Sequence, residues 1–347
     1  MQLNYLINLI DSHPRRYRVI EGTLKGRQTV ATLFWAQQYG IQGWFGYRRN
    51  LSRDAYDQQL AQWAQAGLVA IDKQAKTVRL TARGQRERNL YRHGHYQPRC
   101  GHLSWIVNTT RFANCFLLGI QTVSELAHQN NRYVPLDVPP AEMAAVKQWF
   151  YRYRPALVSG VADECFQLGH LLEQTDPRWP QLLAASLVGY QTSGLYDQQL
   201  RQLLKLSADS LALLKHDVWL TVAATMLKKP DWLLSRLTKP LLRQSPLSRS
   251  AAKTLACYRS GIPLDEISRR RRIKITTVRE HLLAAAIQLP GSVDARQLIG
   301  PKRWDEFADL FRGPVASWHW TPQNGSDPAE SFFAFRLYQI VRSQQDG

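Results

Sequence analysis

Acidic residues are the first scarcity in this chain of 347 residues: 27 Asp plus Glu stand against 45 Lys plus Arg, a formal charge of +18. Such an excess names a polyanionic partner, nucleic acid ahead of an anionic membrane surface, and says nothing of a reaction. Cysteine is scarce as well. Cys100, Cys115, Cys165 and Cys257 are scattered without a CxxC pair, which excludes a disulfide framework and implies reduced thiols. Long apolar runs are missing: the longest uncharged stretch, 179–196, is broken by Pro180, Gln181, Ser186, Gly189, Gln191, Thr192 and Ser193, so no membrane span is expected. The opening Met1-Gln2-Leu3-Asn4-Tyr5-Leu6 has no basic segment leading into an apolar one. No secretory leader is expected, and the cytoplasm is the expected location.

Apolar material is ample, at 44% hydrophobic residues, and the length suits two or three domains. Residues 1–100 read as a winged-helix-like domain. A short apolar helix (Leu3, Leu6, Ile7, Ile10) precedes a helical segment over 29–39, and Gly40 to Gly46 should break it. Ser52 then caps a helix through Ala66 with Tyr56, Leu60 and Trp63 on one face and Gly67 as its stop. The pieces 68–71 and 77–80 form a small β-ribbon, and Thr81 caps the helix that follows. Residues 101–245 read as a helical middle domain, with Phe112, Phe116, Leu117, Ile120, Val123 and Leu126 forming one apolar stripe and prolines marking the turns. The expected fold class is therefore mainly α, completed by a helix-turn-helix domain over 246–347.

That last domain carries the chemistry. A helix starting at Ser248 stops at Gly261, a second starts at Pro263 and buries Leu264 and Ile267, and a third starts at Thr276 or Thr277. Thr277-Val-Arg-Glu280 has capping-box spacing, and Val278, Leu282 and Ala285 form the packing stripe. In a helix-turn-helix the third helix enters the major groove N-terminus first, which makes Thr276, Thr277, Arg279, Glu280 and Leu283 the candidates for base edges. Arg249, Lys253, Arg259, Arg269, Arg270, Arg271, Arg272, Lys274 and Arg279 oppose only Asp265, Glu266 and Glu280, and would hold phosphates, with His281 as a further backbone contact. Among these, Arg270, Arg272, Lys274 and Arg279 are expected to matter most. A second nucleic-acid contact is expected at the wing, from Lys73, Lys76, Arg79, Arg83, Arg86 and Arg88, although winged helices also dock proteins.

The segments Ser248-Arg-Ser-Ala-Ala-Lys-Thr-Leu, Gly261-Ile-Pro-Leu-Asp-Glu-Ile267 and Arg272-Ile-Lys-Ile-Thr-Thr-Val-Arg-Glu-His281-Leu282 resemble the helicase helix-turn-helix domain found at the C-terminus of some RecQ-type helicases. Arg18-Val-Ile20, Leu24-Lys-Gly26 and Gln28-Thr-Val30 resemble the opening of the YpbB family, stand-alone proteins of Firmicutes encoded beside a RecQ-type helicase. Leu187-Val-Gly-Tyr-Gln-Thr192 and Tyr196-Asp-Gln-Gln-Leu200 are similar to that family's central segment. The resemblance implies DNA and a RecQ-type helicase as partners, in repair or recombination, and brings no catalytic residues.

Catalytic signals are weak throughout. Gly22-Thr-Leu-Lys-Gly26 has the wrong spacing for a phosphate-binding loop, and Asp163-Glu164, Asp265-Glu266 and Asp305-Glu306 sit in helical surroundings, so a nucleotide-driven motor is not expected. His93, His95, Cys100 and His102 lie within ten residues but lack a standard zinc spacing; no metal and no cofactor is expected. Trp35, Trp63, Trp149 and Trp219 fall at core spacings, whereas Trp44, Phe45 and Tyr47 beside Arg48 and Arg49 are candidates for exposed stacking. Most of the aromatic surface over the last sixty residues should be core. A non-enzymatic DNA-binding accessory protein is the leading expectation, followed by an operator-reading regulator and then by a docking scaffold without DNA contact.

Overall fold

Hydroxyl side chains set several helix starts by accepting from the first-turn N–H groups that a helix leaves unpaired. Ser52 Oγ accepts from Ala55 N at 3.5 Å, Thr81 Oγ1 from Gly84 N at 3.1 Å and Ser248 Oγ from Ala251 N at 3.0 Å, the three caps read from the sequence. The computed structural model describes residues 3–321 and 327–345, mainly α-helical with one small sheet. Its packing separates two units: Met1–Gly26 with Gln42–Gln244, and Arg27–Ile41 with Ser245–Gly347.

The first unit opens with a 3₁₀ turn over Asn4–Leu9, then β1 (Arg15–Arg16) and α1 (Tyr17–Lys25). The next helix, α2 (Val30–Gln38), belongs to the second unit. α3 (Arg53–Gln65), β2 (Val69–Asp72), β3 (Thr77–Leu80) and α4 (Ala82–Gly94) follow. The strands pair antiparallel in the order β1-β3-β2, with Arg15 and Ile71 flanking Val78. Val69, Val78 and Leu80 point inward, so the small sheet buries one face against its neighbouring helices α3 and α4. Gly22 lies inside α1 and Gly26 (φ 69°) ends it, so the segment that faintly resembled a phosphate loop is helix.

Trp44 and Phe45 correct an expectation, because both are buried rather than displayed for stacking. Their glycine-bounded loop folds onto the apolar opening turn, where Trp44 stacks on Tyr5 at 5.8 Å and Arg48 lies 5.3 Å from the Tyr47 ring.

Helices α5 (Thr109–Ala127), α6 (Pro140–Tyr153), α7 (Leu157–Glu173), α8 (Arg178–Ser186), α9 (Asp197–Leu204), α10 (Ala208–Lys228) and α11 (Leu233–Thr238) build the rest of this unit. Phe112 and Phe116 of α5 meet Trp219 of α10 edge-on, at 6.2 and 5.6 Å. The buried Glu164 of α7 accepts from Leu234 N at 2.9 Å and also from Leu233 N, capping α11 in place of a local hydroxyl.

The second unit holds α12 (Arg249–Arg259), α13 (Leu264–Arg271), α14 (Ile275–Gln288), α15 (Ala295–Ile299), α16 (Pro301–Leu310) and α17 (Pro328–Gln345). Trp304, Phe307, Phe311, Trp318, Phe335 and Tyr338 interlock as its aromatic core, as the sequence suggested. α2 packs against α14, and the buried Arg336 of α17 lies over the Phe34 ring at 4.5 Å while donating to Gln339 Oε1 at 2.7 Å.

Candidate nucleic-acid interface

Three helices around Ala251, Leu255, Ile267, Val278, Leu282 and Ala285 form the helix-turn-helix. Gly261 (φ 76°) turns the chain from α12 to α13, a conformation that costs an L side chain but not glycine. The turn before α14 is made differently. Arg272 adopts φ 52° and ψ 43° at the end of α13, and Ser268 Oγ donates to Ile273 O at 2.6 Å. This tight closure lets α14 restart at Ile275, with Lys274 at its N-cap and no side-chain cap. The Thr277 capping box is thereby corrected: Thr277 N donates to Lys274 O at 2.9 Å, which places Thr277 inside the first turn.

The cations named from sequence separate into two groups. Arg249, Lys253, Arg259, Arg272 and Lys274 are exposed and make no ion pair among the described residues. Arg269 is exposed, donates to the Asp265 carbonyl at 3.5 Å and makes no ion pair among the described residues. The others have structural partners. Arg270 is paired with Glu266 one turn back. Arg271 donates to Ser250 O at 2.8 Å, to Ser250 Oγ at 2.9 Å and to Thr254 Oγ1, tying α13 to α12. Arg279, 14% exposed, is held between Asp327 at 3.3 Å and Glu330 at 3.2 Å.

Of the base-edge candidates, Thr276 and Glu280 are exposed, Thr277 is half-buried, and Leu283 is core rather than surface. His281 shares a 2.7 Å hydrogen bond with Thr254 Oγ1, and burial together with the Arg271 charge pushes its pKa below the ordinary imidazole value. An imidazole held neutral adds hydrogen bonding but no charge toward a phosphate. Because these residues take internal partners through tertiary packing, nothing in the local spacing distinguishes Arg271 or Arg279 from Arg272.

At the wing, Lys73, Lys76, Arg79, Arg83 and Arg86 are exposed, and Arg83 also reaches Ala66 O at 3.1 Å. Arg88 is turned inward, donating to Ile10 O at 3.1 Å beside Asp11 at 3.4 Å. α3 precedes the ribbon as the groove-entering helix of a winged helix does, yet past Asp54 its exposed positions are Ala55, Gln58, Ala61, Gln62 and Gln65. The exposed wing cations named from the sequence therefore sit on the ribbon tip and α4, and α3 contributes only Arg53 at its start.

The histidine-rich loop is occupied by internal bonds. His93 and His95 bond to the carbonyls one turn back, Asn89 O at 2.7 Å and Tyr91 O at 2.9 Å, and Thr221 Oγ1 donates to Cys100 Sγ at 3.4 Å. Asp217 of α10 organises the same loop, accepting from Arg99 N at 2.7 Å, Cys100 N at 3.1 Å and Tyr96 Oη at 2.9 Å. No group of three or more metal-ligating side chains occurs among the described residues.

Residues 250–317 match the family described as a helix-turn-helix domain. The chain is similar to Protein YpbB of Bacillus subtilis (strain 168), with 22% identity over 279 residues, 77% of this chain and 76% of that protein. This similarity agrees with the resemblance carried by the sequence at both ends. No solved structure matches the chain. A helix-turn-helix suggests DNA binding, and among the described residues no helix is long and apolar enough to cross a membrane.

Proposed function

We propose that this chain is a non-enzymatic, cytoplasmic DNA-binding accessory protein that grips duplex phosphates with its helix-turn-helix unit and works beside a RecQ-type helicase in repair or recombination. The observation that carries the DNA contact is the set of exposed cations without ion partners, Arg249, Lys253, Arg259, Arg272 and Lys274, on and around a matched helix-turn-helix. Unpaired cations give affinity by releasing counterions from the phosphate backbone, without reading sequence. Arg279 would be the strongest base-reading donor on α14, and its two carboxylate partners favour a positioning role over an operator code. The helicase partner rests on the YpbB resemblance.

Fluorescence anisotropy with scrambled duplex, forked and single-stranded DNA across a salt series tests the DNA contact. Each of Arg249→Ala, Arg272→Ala and Lys274→Ala is expected to lower affinity uniformly across sequences and flatten the log–log salt slope by about one. An unchanged slope in all three would remove the assignment. Pull-down of a purified RecQ-type helicase, with and without DNA, tests the partner separately.

A further inference from the structure

The end of α6 carries a surface that neither the helix-turn-helix nor the wing accounts for. The run Phe150-Tyr-Arg-Tyr-Arg154 alternates rings and guanidinium groups. Arg152 lies 5.6 Å from the Tyr153 ring centroid, Arg236 of α11 lies 5.4 Å from the same ring, and Arg154 lies 5.5 Å from Phe150. Tyr151 is 75% exposed, and its ring is open to solvent beside these cations. Phe150 and Tyr151 continue into a groove of about 250 Å³ between α5 and α6, whose rim carries Lys147 and Asn131. Three carboxylates of these helices have partners: Glu142 pairs with Arg111, Glu164 accepts from the N-terminus of α11, and the buried Glu125 accepts from Asn130 Nδ2 at 2.6 Å. Lys147, Arg152 and Arg154 are exposed and make no ion pair among the described residues.

We infer that this surface is a second nucleic-acid site, specific for single strands, in which unstacked bases lie on Tyr151 and in the adjoining groove while Lys147, Arg152, Arg154 and Arg236 follow the phosphates. Paired bases hide their faces, so a stacking ring beside cations selects single strands, and any base can use it. Guanidinium groups already seated on rings hold their charge at ring height, where a base and its phosphate are read together. The inference stands apart from the helix-turn-helix reading, since it uses different residues and a different form of nucleic acid.

The test is anisotropy of the full chain with dT15, rU15 and a scrambled duplex. Tyr151→Ala and the double variant Arg152→Ala/Arg154→Ala are each expected to weaken binding of at least one single strand about tenfold, with duplex affinity kept within about twofold. Tyr151→Phe, which keeps the ring, should bind as the unaltered chain does. Helix-turn-helix variants such as Lys274→Ala should show the reverse pattern. Unchanged single-strand affinity in both patch variants, with unchanged thermal melts, overturns the inference even if duplex binding persists; preference between dT15 and rU15 identifies which strand the site takes.

Discussion

Asp217 and His216 are sequence neighbours whose ionisations oppose one another. Burial raises the Asp217 pKa to about 6 despite its three hydrogen-bond donors, and burial with the Arg49 charge lowers the His216 pKa to about 4. The carboxyl keeps a proton in the folded chain that the unfolded chain releases, so its contribution to stability falls as pH rises from about 4 to 6, by about 3 kcal/mol. The imidazole behaves in the opposite sense: its contribution is present above about pH 6.5 and is lost as pH falls toward 4. His216→Phe removes the second slope alone. Urea titrations should therefore show the stability difference, variant minus parent, growing as pH falls from 6.5 to 4, and a pH-independent difference would mean that His216 takes up its proton in the fold as readily as in the unfolded chain. A second contrast concerns adjacent arginines. Arg271→Ala should cost about 1–2 kcal/mol in melting experiments, because it leaves Ser250 and Thr254 without their charged donor at a half-exposed site.

Helix α13 ends on a left-handed residue that is not glycine. Arg272→Gly relieves that conformation while removing a cation, so the two consequences separate: stability is expected to hold within about 1 kcal/mol while duplex affinity falls. A parallel loss of melting temperature would assign Arg272 to the fold instead. The three helices of this motif were legible because short-range signals define them: Ser248 as cap, Gly261 and Pro263 as punctuation, Val278 and Leu282 as stripe. Two elements were not legible. β1 has only two residues, too few for alternation to register, and α1 contains Gly22, which reads locally as loop. The destination of α2 was equally hidden, since the spacing of Phe34 and Trp35 announces an apolar face without saying what covers it. The structure covers it with α14 and α17. A fragment spanning 245–347 should therefore show weaker helical signal and earlier melting than the same fragment supplied with a 27–41 peptide, monitored by circular dichroism. No change on adding the peptide would show that the C-terminal unit closes without it.

For the whole molecule, the charge of +18 was the most informative quantity in the sequence, yet it could not say which cations face solvent. Packing divides them, sending Arg88, Arg271, Arg279 and Arg336 to internal partners and leaving the wing tip, the helix-turn-helix cations and the end of α6 outside. The salt slope for duplex binding should therefore reflect only a few exposed contacts and fall well short of the formal charge, a quantity that one titration series measures. The assignment of residues 27–41 to the C-terminal unit also bears on biosynthesis. α2 leaves the ribosome early, whereas the last turn of α17 follows about 300 residues later, a delay of about 15–60 s at ordinary elongation rates. Until α14 and then α17 emerge, Phe34 and Trp35 lack their native cover, so the apolar face of α2 stays without its tertiary partners for most of that interval.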